Sequence, residues 1–145
     1  MIEKKYISLL FLMLLFVGTN LQSQSVLGEW KAINEENGKA MCIVEIYEEE
    51  GQFFGKVIRI LKEEDRDRLC TKCEGDMKDM PVEGMVVMDG LQKDGDYYGG
   101  GTALDPKSGK EYRCKIWLDQ NNSDILNVRG YIAIFYRTQT WERAQ

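Results

Sequence analysis

Gly28-Glu29-Trp30 opens the patterned part of the chain and Trp141-Glu142-Arg143 closes it. Between these two motifs, hydrophobic residues recur at every second position in short segments, the period of a β-strand with one face covered. In a closed antiparallel sheet the first and last strands are neighbours, so motifs from opposite ends of the sequence meet. A tryptophan plugging the floor of a barrel beneath an arginine from the last strand accounts for both. A guanidinium over an indole face gains roughly 0.5–2 kcal/mol and caps an apolar base without leaving an orphan charge. The expected fold is therefore all-β, an up-and-down antiparallel barrel with Trp30 and Arg143 as its closure. Arg137 is the rival for the arginine's place.

Working outward from the two ends, the chain divides into eight segments, near 27–34, 40–48, 52–60, 84–91, 95–104, 110–119, 124–131 and 135–143. Clusters such as Glu36-Asn37-Gly38, Glu50-Gly51, Lys93-Asp94-Gly95 and Asn121-Asn122-Ser123-Asp124 supply hairpin connections. The sixth segment is the cleanest. Tyr112, Cys114, Ile116 and Leu118 share one face, while Glu111, Arg113, Lys115 and Asp119 share the other with Trp117. A strand sided in this way covers a core or lines a barrel interior. The second segment repeats the pattern through Cys42, Val44 and Ile46. From Gly130 to Tyr136 the phase is ambiguous, and the sequence does not place the last turn. Eight strands enclose an interior just wide enough to be filled by side chains or to hold one small ligand. A two-sheet sandwich is the alternative, but glycines inside the segments (Gly55, Gly99, Gly100, Gly101, Gly130) suit tight barrel bends better.

Lys4 and Lys5 precede an apolar run of 12 residues, Tyr6 to Val17, broken only by Ser8 and followed by small and polar residues. This is the pattern of a secretory signal peptide over residues 1–23, and the run falls short of the roughly 20 residues that span a bilayer. The expected product is exported, periplasmic or secreted, and is not stably inserted in the membrane after leader cleavage. Residues 24–145 then form one domain, because about 120 residues seldom divide into two cores. Without Glu3, Lys4 and Lys5, 17 basic residues stand against 23 acidic ones, a formal charge of −6. Such a balance disfavours nucleic acid and anionic membrane surfaces, where a basic face would supply the affinity. The chain contains no histidine, which removes histidine-dependent hydrolases and histidine-ligated metal sites. No catalytic residue, metal or cofactor is expected, and the chain reads as a non-enzyme.

One connection differs from the rest. Residues 61–83 make a long charged insertion that carries Cys70-Thr71-Lys72-Cys73, and loops longer than about 12–15 residues are usually functional or disordered. In an exported protein Cys70 and Cys73 are expected to form a small structural disulfide. Thiol exchange is the less natural reading, because the pair does not sit in a strand-helix redox unit. With Met77 and Met80 the two cysteines also offer soft ligands suited to Cu(I), against which methionine is a common gap-filler in cores. Cys42 and Cys114 fall on the inward phases of strands two and six and are expected to be two buried thiols. Asp105-Pro106-Lys107-Ser108-Gly109 explains itself as a turn. The acidic pairs Asp94/Asp96 and Glu63/Glu64 read as solvated loop residues rather than paired catalytic carboxylates.

Three stretches together, Gly100-Gly101-Thr102-Ala103-Leu104-Asp105-Pro106-Lys107-Ser108-Gly109-Lys110-Glu111-Tyr112, the Cys70-x-x-Cys73 pair, and Arg137-Thr138-Gln139-Thr140-Trp141-Glu142-Arg143, resemble the domain of unknown function 2147 family. Gly28-Glu29-Trp30 is similar to the Gly-x-Trp that begins lipocalins. The resemblance implies a small exported bacterial protein with a lipocalin-like, calycin-like barrel, and it implies no established reaction or site residue. The first functional expectation is a small apolar or amphipathic molecule held in the barrel cup, lined by Val44, Ile46, Tyr112, Ile116 and Leu118, with loop 61–83 gating the mouth. The competing expectation is a barrel packed solid whose surface, including Trp117, Tyr97 and Tyr98, contacts another exported protein. A third is thiol or copper handling through Cys70 and Cys73. An apolar pocket of roughly 300 Å³ or more separates the first from the second.

Overall fold

The computed structural model describes residues 24–144, and the leader expected at 1–23 lies outside them. Eight strands form one closed antiparallel barrel in simple sequence order: β1 (Gly28–Ile33), β2 (Ala40–Glu49), β3 (Gln52–Ile60), β4 (Val86–Asp94), β5 (Tyr97–Asp105), β6 (Lys110–Leu118), β7 (Ile125–Ile132) and β8 (Phe135–Arg143). Each joins its successor by a hairpin except β3 and β4, which are bridged by residues 61–85 with two short 3-10 turns, Glu63–Asp65 and Gly75–Met77. Six of the eight strands lie within one residue of the segments read from the sequence. The β4–β5 turn falls at Gly95-Asp96, about two residues later than expected, because the polar end of β4 (Gln92-Lys93-Asp94) stays in register with β5.

Closure is short. β1 and β8 pair only at Trp30↔Arg143 and Lys31↔Glu142, and the Ala144 amide adds a hydrogen bond to the Glu29 carbonyl at 2.9 Å. Inward side chains follow the period-two reading: Trp30 faces Val44, Val44 faces Val57, Ile116 faces Val128 and Leu126 faces Trp141, all buried. Two strands approach so closely that glycine is required. A Cβ at Gly101 would run into the Asp89 carbonyl of β4, so β5 can bulge there only without a side chain.

Loop 61–83 begins as a solvated charge run, exposed from 61 to 69 except at half-buried Asp65, and is anchored beyond it as a lid. Its outer residues, Glu63 and Glu64 among them, are exposed, but Cys70, Cys73, Val82 and Met85 turn under it into the core. It is fixed by a Leu69↔Pro81 bridge, by the Cys70 amide on the Met80 carbonyl (2.8 Å), and by the Ile60 amide on Glu83 Oε2 (2.9 Å). On its far side the lid rests on the β5–β6 turn. Gly109, at φ +71°, sits against the Lys72 carbonyl with no room for a Cβ. The same turn is built as the sequence dictates: Ser108 donates to Asp105 Oδ2 at 2.7 Å, the Lys107 amide donates to Asp105 Oδ1, and the Gly109 amide closes on the Asp105 carbonyl.

Candidate functional site

The base of the barrel carries the predicted closure. Arg143 lies over the Trp30 ring at 4.2 Å; its Nη2 donates to the carbonyls of both Ser25 (3.1 Å) and Ser123 (2.9 Å), its Nη1 to the Leu27 carbonyl (3.4 Å) and its Nε to Asp124 (3.1 Å). Trp30 Nε1 donates to the Val26 carbonyl at 2.8 Å, so its one polar atom is satisfied inside the floor. Arg137, the rival arginine, instead pairs with Glu35 at the opposite rim. Trp30 and Arg143 are therefore structural.

The residues expected to line a cup do face inward, but they are packed. Val44 and Ile46 are 1% exposed and Ile116 is 0%. Tyr112 and Leu118 are half-buried nearer the two ends of β6. Two shallow depressions among the described residues lie outside the barrel. One, of about 420 Å³, sits between the lid and the β5–β6 turn, bounded by Arg68, Leu69, Thr71, Pro106 and Lys107. The other, of about 490 Å³, runs along the outer face of β4, β5 and β6 beside Gln92, Asp94, Tyr97, Gly99, Gly100 and Lys115.

Cys70 and Cys73 form a disulfide, as expected, and both are fully buried under the lid. Cys70 Sγ also lies 3.4 Å from the Pro106 carbonyl. The bond staples the lid to itself and occupies both sulfurs that a soft metal would need, and its burial closes it to attacking thiols. Met80 is exposed and Met77 half-buried. Cys42 and Cys114 are unbonded. Cys114 is buried, and burial pushes its thiol up to about 12. Cys42 is only half-buried, which corrects the expectation of two fully buried thiols; burial still pushes it up to about 11, with nearby Arg68 pulling the other way. Neither is poised as a thiolate nucleophile. Asp94 and Asp96 are exposed on the β4–β5 turn, as expected of solvated acids.

What the structure does assemble is a row of aromatic rings and cations on the outer face of β5, β6, β7 and β8. Lys115 Nζ sits 3.6 Å above Tyr97, and Tyr97 meets Trp117 edge-on at 5.7 Å. Arg129 is held between Trp117 (4.9 Å) and Tyr136 (4.2 Å), its Nε donating to Thr138 Oγ1 at 2.7 Å. Tyr136 leans on Tyr131 at 5.9 Å, and Arg113 covers Tyr131 at 5.9 Å. Lys115 and Arg129 stand directly opposite each other in register, an arrangement that repels in a bare sheet and is offset here by interleaved rings. Trp117 and Tyr97 belong to this face, as the sequence indicated. Tyr98 does not: it is buried and packs edge-on against Phe53 at 4.6 Å, because neighbouring strand residues point to opposite faces. Arg113, Arg129, Tyr131 and Tyr136 were missed as members of the row. Only the outward phase of the sixth segment hinted at them, since the pairing of β6 with β7 and β8 is what brings them together.

Among known proteins, a family model described as an uncharacterised protein conserved in bacteria (DUF2147) matches residues 28–143. The fold is similar to a solved structure of protein HP1028 from Helicobacter pylori, described as belonging to the lipocalin family. The TM-score is 0.71 and the identity 20%, over 83% of this chain and 84% of that one. No curated protein matches the chain in sequence.

Proposed function

The chain belongs to the bacterial DUF2147 family, and from that premise we propose that it is an exported, non-catalytic lipocalin-like binding protein that works from its outer surface. The observation carrying this reading is the conjunction of a packed interior with the Tyr97–Lys115–Trp117–Arg129 row beside an open groove. Rigid aromatics and arginine are the residue types that dominate binding interfaces, because they contribute large contact area at small entropic cost. The partner is another exported protein that lays an acidic or aromatic segment along β5 and β6. A photo-crosslinking residue placed at Trp117 is expected to give a discrete adduct in the exported fraction, while the same residue at exposed Glu29 on β1 gives none. Equal labelling from both positions would sink the proposal.

A second reading, a small apolar or amphipathic ligand inside the barrel, draws support from the lipocalin-like architecture and from Met85 and Met88 in the core. Methionine repacks at low cost, so the interior can open around a guest at those positions.

A further inference from the structure

The β7–β8 hairpin ends in a turn that its own chemistry does not explain. Ala133, the first residue of the turn, adopts φ +52°, where glycine or asparagine is the usual occupant. Its neighbours are apolar and face water: Ile134 is 86% exposed, Phe135 73% and Ile132 about half. A hairpin needs none of these side chains at its tip. One layer back stand Tyr131 and Tyr136, paired across the strands. Around and behind them are cations: Arg113 donates to the Ala133 carbonyl (3.4 Å) and covers Tyr131, while Arg129 and Lys115 lie two positions further from the turn. In a chain with excess acid, no carboxylate among the described residues lies within ion-pair range of these three. Glu35 at this rim is taken up by Arg137, and Glu111 stands two positions from Arg113 at the edge of the face.

An apolar tip, then tyrosines, then uncompensated cations is the order of depth at a bilayer surface. At about 3.4 Å per strand residue, the tyrosines lie about 7–9 Å and Arg129 about 15 Å behind the turn. The boundary of the acyl region takes side chains to a depth of roughly 5–10 Å, tyrosine prefers the headgroup level, and cations meet anionic headgroups just outside. We propose that the β7–β8 hairpin is a peripheral membrane anchor, with Ile132, Ile134 and Phe135 entering an anionic bilayer and Arg113, Arg129 and Lys115 meeting its phosphates. The anchor shares Lys115 and Arg129 with the proposed protein-binding row, whereas the tip residues Ile132, Ile134 and Phe135 lie outside that row, so the tip variant separates the two readings. The anchor concerns reversible docking of the folded barrel and involves no spanning segment.

The test is co-sedimentation of the purified protein with vesicles of phosphatidylglycerol and phosphatidylcholine, against vesicles of phosphatidylcholine alone. Binding is expected only to the anionic vesicles, and it should weaken as salt is raised. Ile134→Ser with Phe135→Ser, both at exposed positions, should lower binding at least tenfold without moving the thermal midpoint. Arg113→Gln with Arg129→Gln should also lower binding at least tenfold, with a fall in the thermal midpoint from the lost ring and Thr138 contacts, and Arg113→Lys with Arg129→Lys should restore binding to within about threefold. No binding to anionic vesicles, or binding indifferent to the tip variant, overturns the proposal. So does concentration-dependent self-association without vesicles that the tip variant abolishes, which would give the hairpin to a second copy of the chain.

Discussion

Replacing Arg143 tests the way the barrel is closed. The side chain makes one cation–π contact with Trp30, hydrogen bonds to the carbonyls of Ser25 and Ser123, and an ion pair with Asp124. The cation–π term contributes about 1 kcal/mol at a partly buried site. The two bonds to backbone carbonyls contribute about 1 kcal/mol each once partial exposure is allowed for, and the Asp124 pair about 0.5 kcal/mol. Arg143→Met, which keeps an apolar stem over the indole, should therefore cost about 3 kcal/mol. With an m-value of about 1.5 kcal/mol/M this lowers the urea midpoint by about 2 M. Arg143→Lys keeps the charge but has one nitrogen in place of three: placed where Nη2 bridges the Ser25 and Ser123 carbonyls, it gives up Asp124 at Nε and Leu27 at Nη1. Its loss should be about 1 kcal/mol, against about 0.5 for Asp124→Ala. Equilibrium urea unfolding followed by tryptophan fluorescence reads all three. A lysine variant within about 0.5 kcal/mol of the parent, or an Asp124→Ala loss as large as that of Arg143→Met, would refute the fork as the clasp.

The lid should depend on its staple: Cys70→Ser with Cys73→Ser is expected to lose about 2 kcal/mol, the loop-closure value for so short a span, with faster amide exchange confined to residues 61–83. Gly109→Ala meets both a left-handed backbone and the Lys72 carbonyl, so it should destabilise by about 2 kcal/mol or more and loosen the same lid; unchanged thermal stability would contradict the seating of the lid on the turn. Both unbonded thiols are held above their ordinary values in the folded chain, so the unfolded chain releases its protons first as pH rises. Their contribution is complete below about 9 and declines as pH climbs toward about 11 for Cys42 and about 12 for Cys114. Unfolding measured from pH 8 to 11 should show that decline, and Cys114→Ala should flatten it. Native protein at pH 8 should leave Cys114 unalkylated, whereas the denatured, unreduced chain should take up two alkyl groups.

Much of the fold was legible because a barrel strand covered on one face states its own phase. The β6 reading through Tyr112, Cys114, Ile116 and Leu118 carried directly into the structure, as did Trp30 beneath Arg143. Legibility failed where burial and alternation part company. Gln92-Lys93-Asp94 extends β4 with no inward apolar residue to announce it, so the turn was read early. Residues 130–136 gave no clear phase because Ile132, Ile134 and Phe135 are apolar without being buried. The charges of loop 61–83 hid the fact that Cys70, Cys73 and Val82 belong to the core, a placement set by the lid's contacts with the distant β5–β6 turn. Of the outer row only Tyr97 and Trp117 were legible: Arg129 and Tyr136 come from two further strands, and only the register of β6, β7 and β8 makes them neighbours of Trp117.

The central claim is that this barrel is solid and acts from its outside. Native mass spectrometry of the protein isolated from the cells that make it, with the denatured mass recorded alongside, tests it most directly. The account predicts a native mass equal to that of the bare chain less two hydrogens for the Cys70–Cys73 bond, alone or in a discrete complex with another protein. A small excess mass, other than that of a phospholipid, that survives native conditions and vanishes on denaturation would contradict it and favour a barrel that carries a guest.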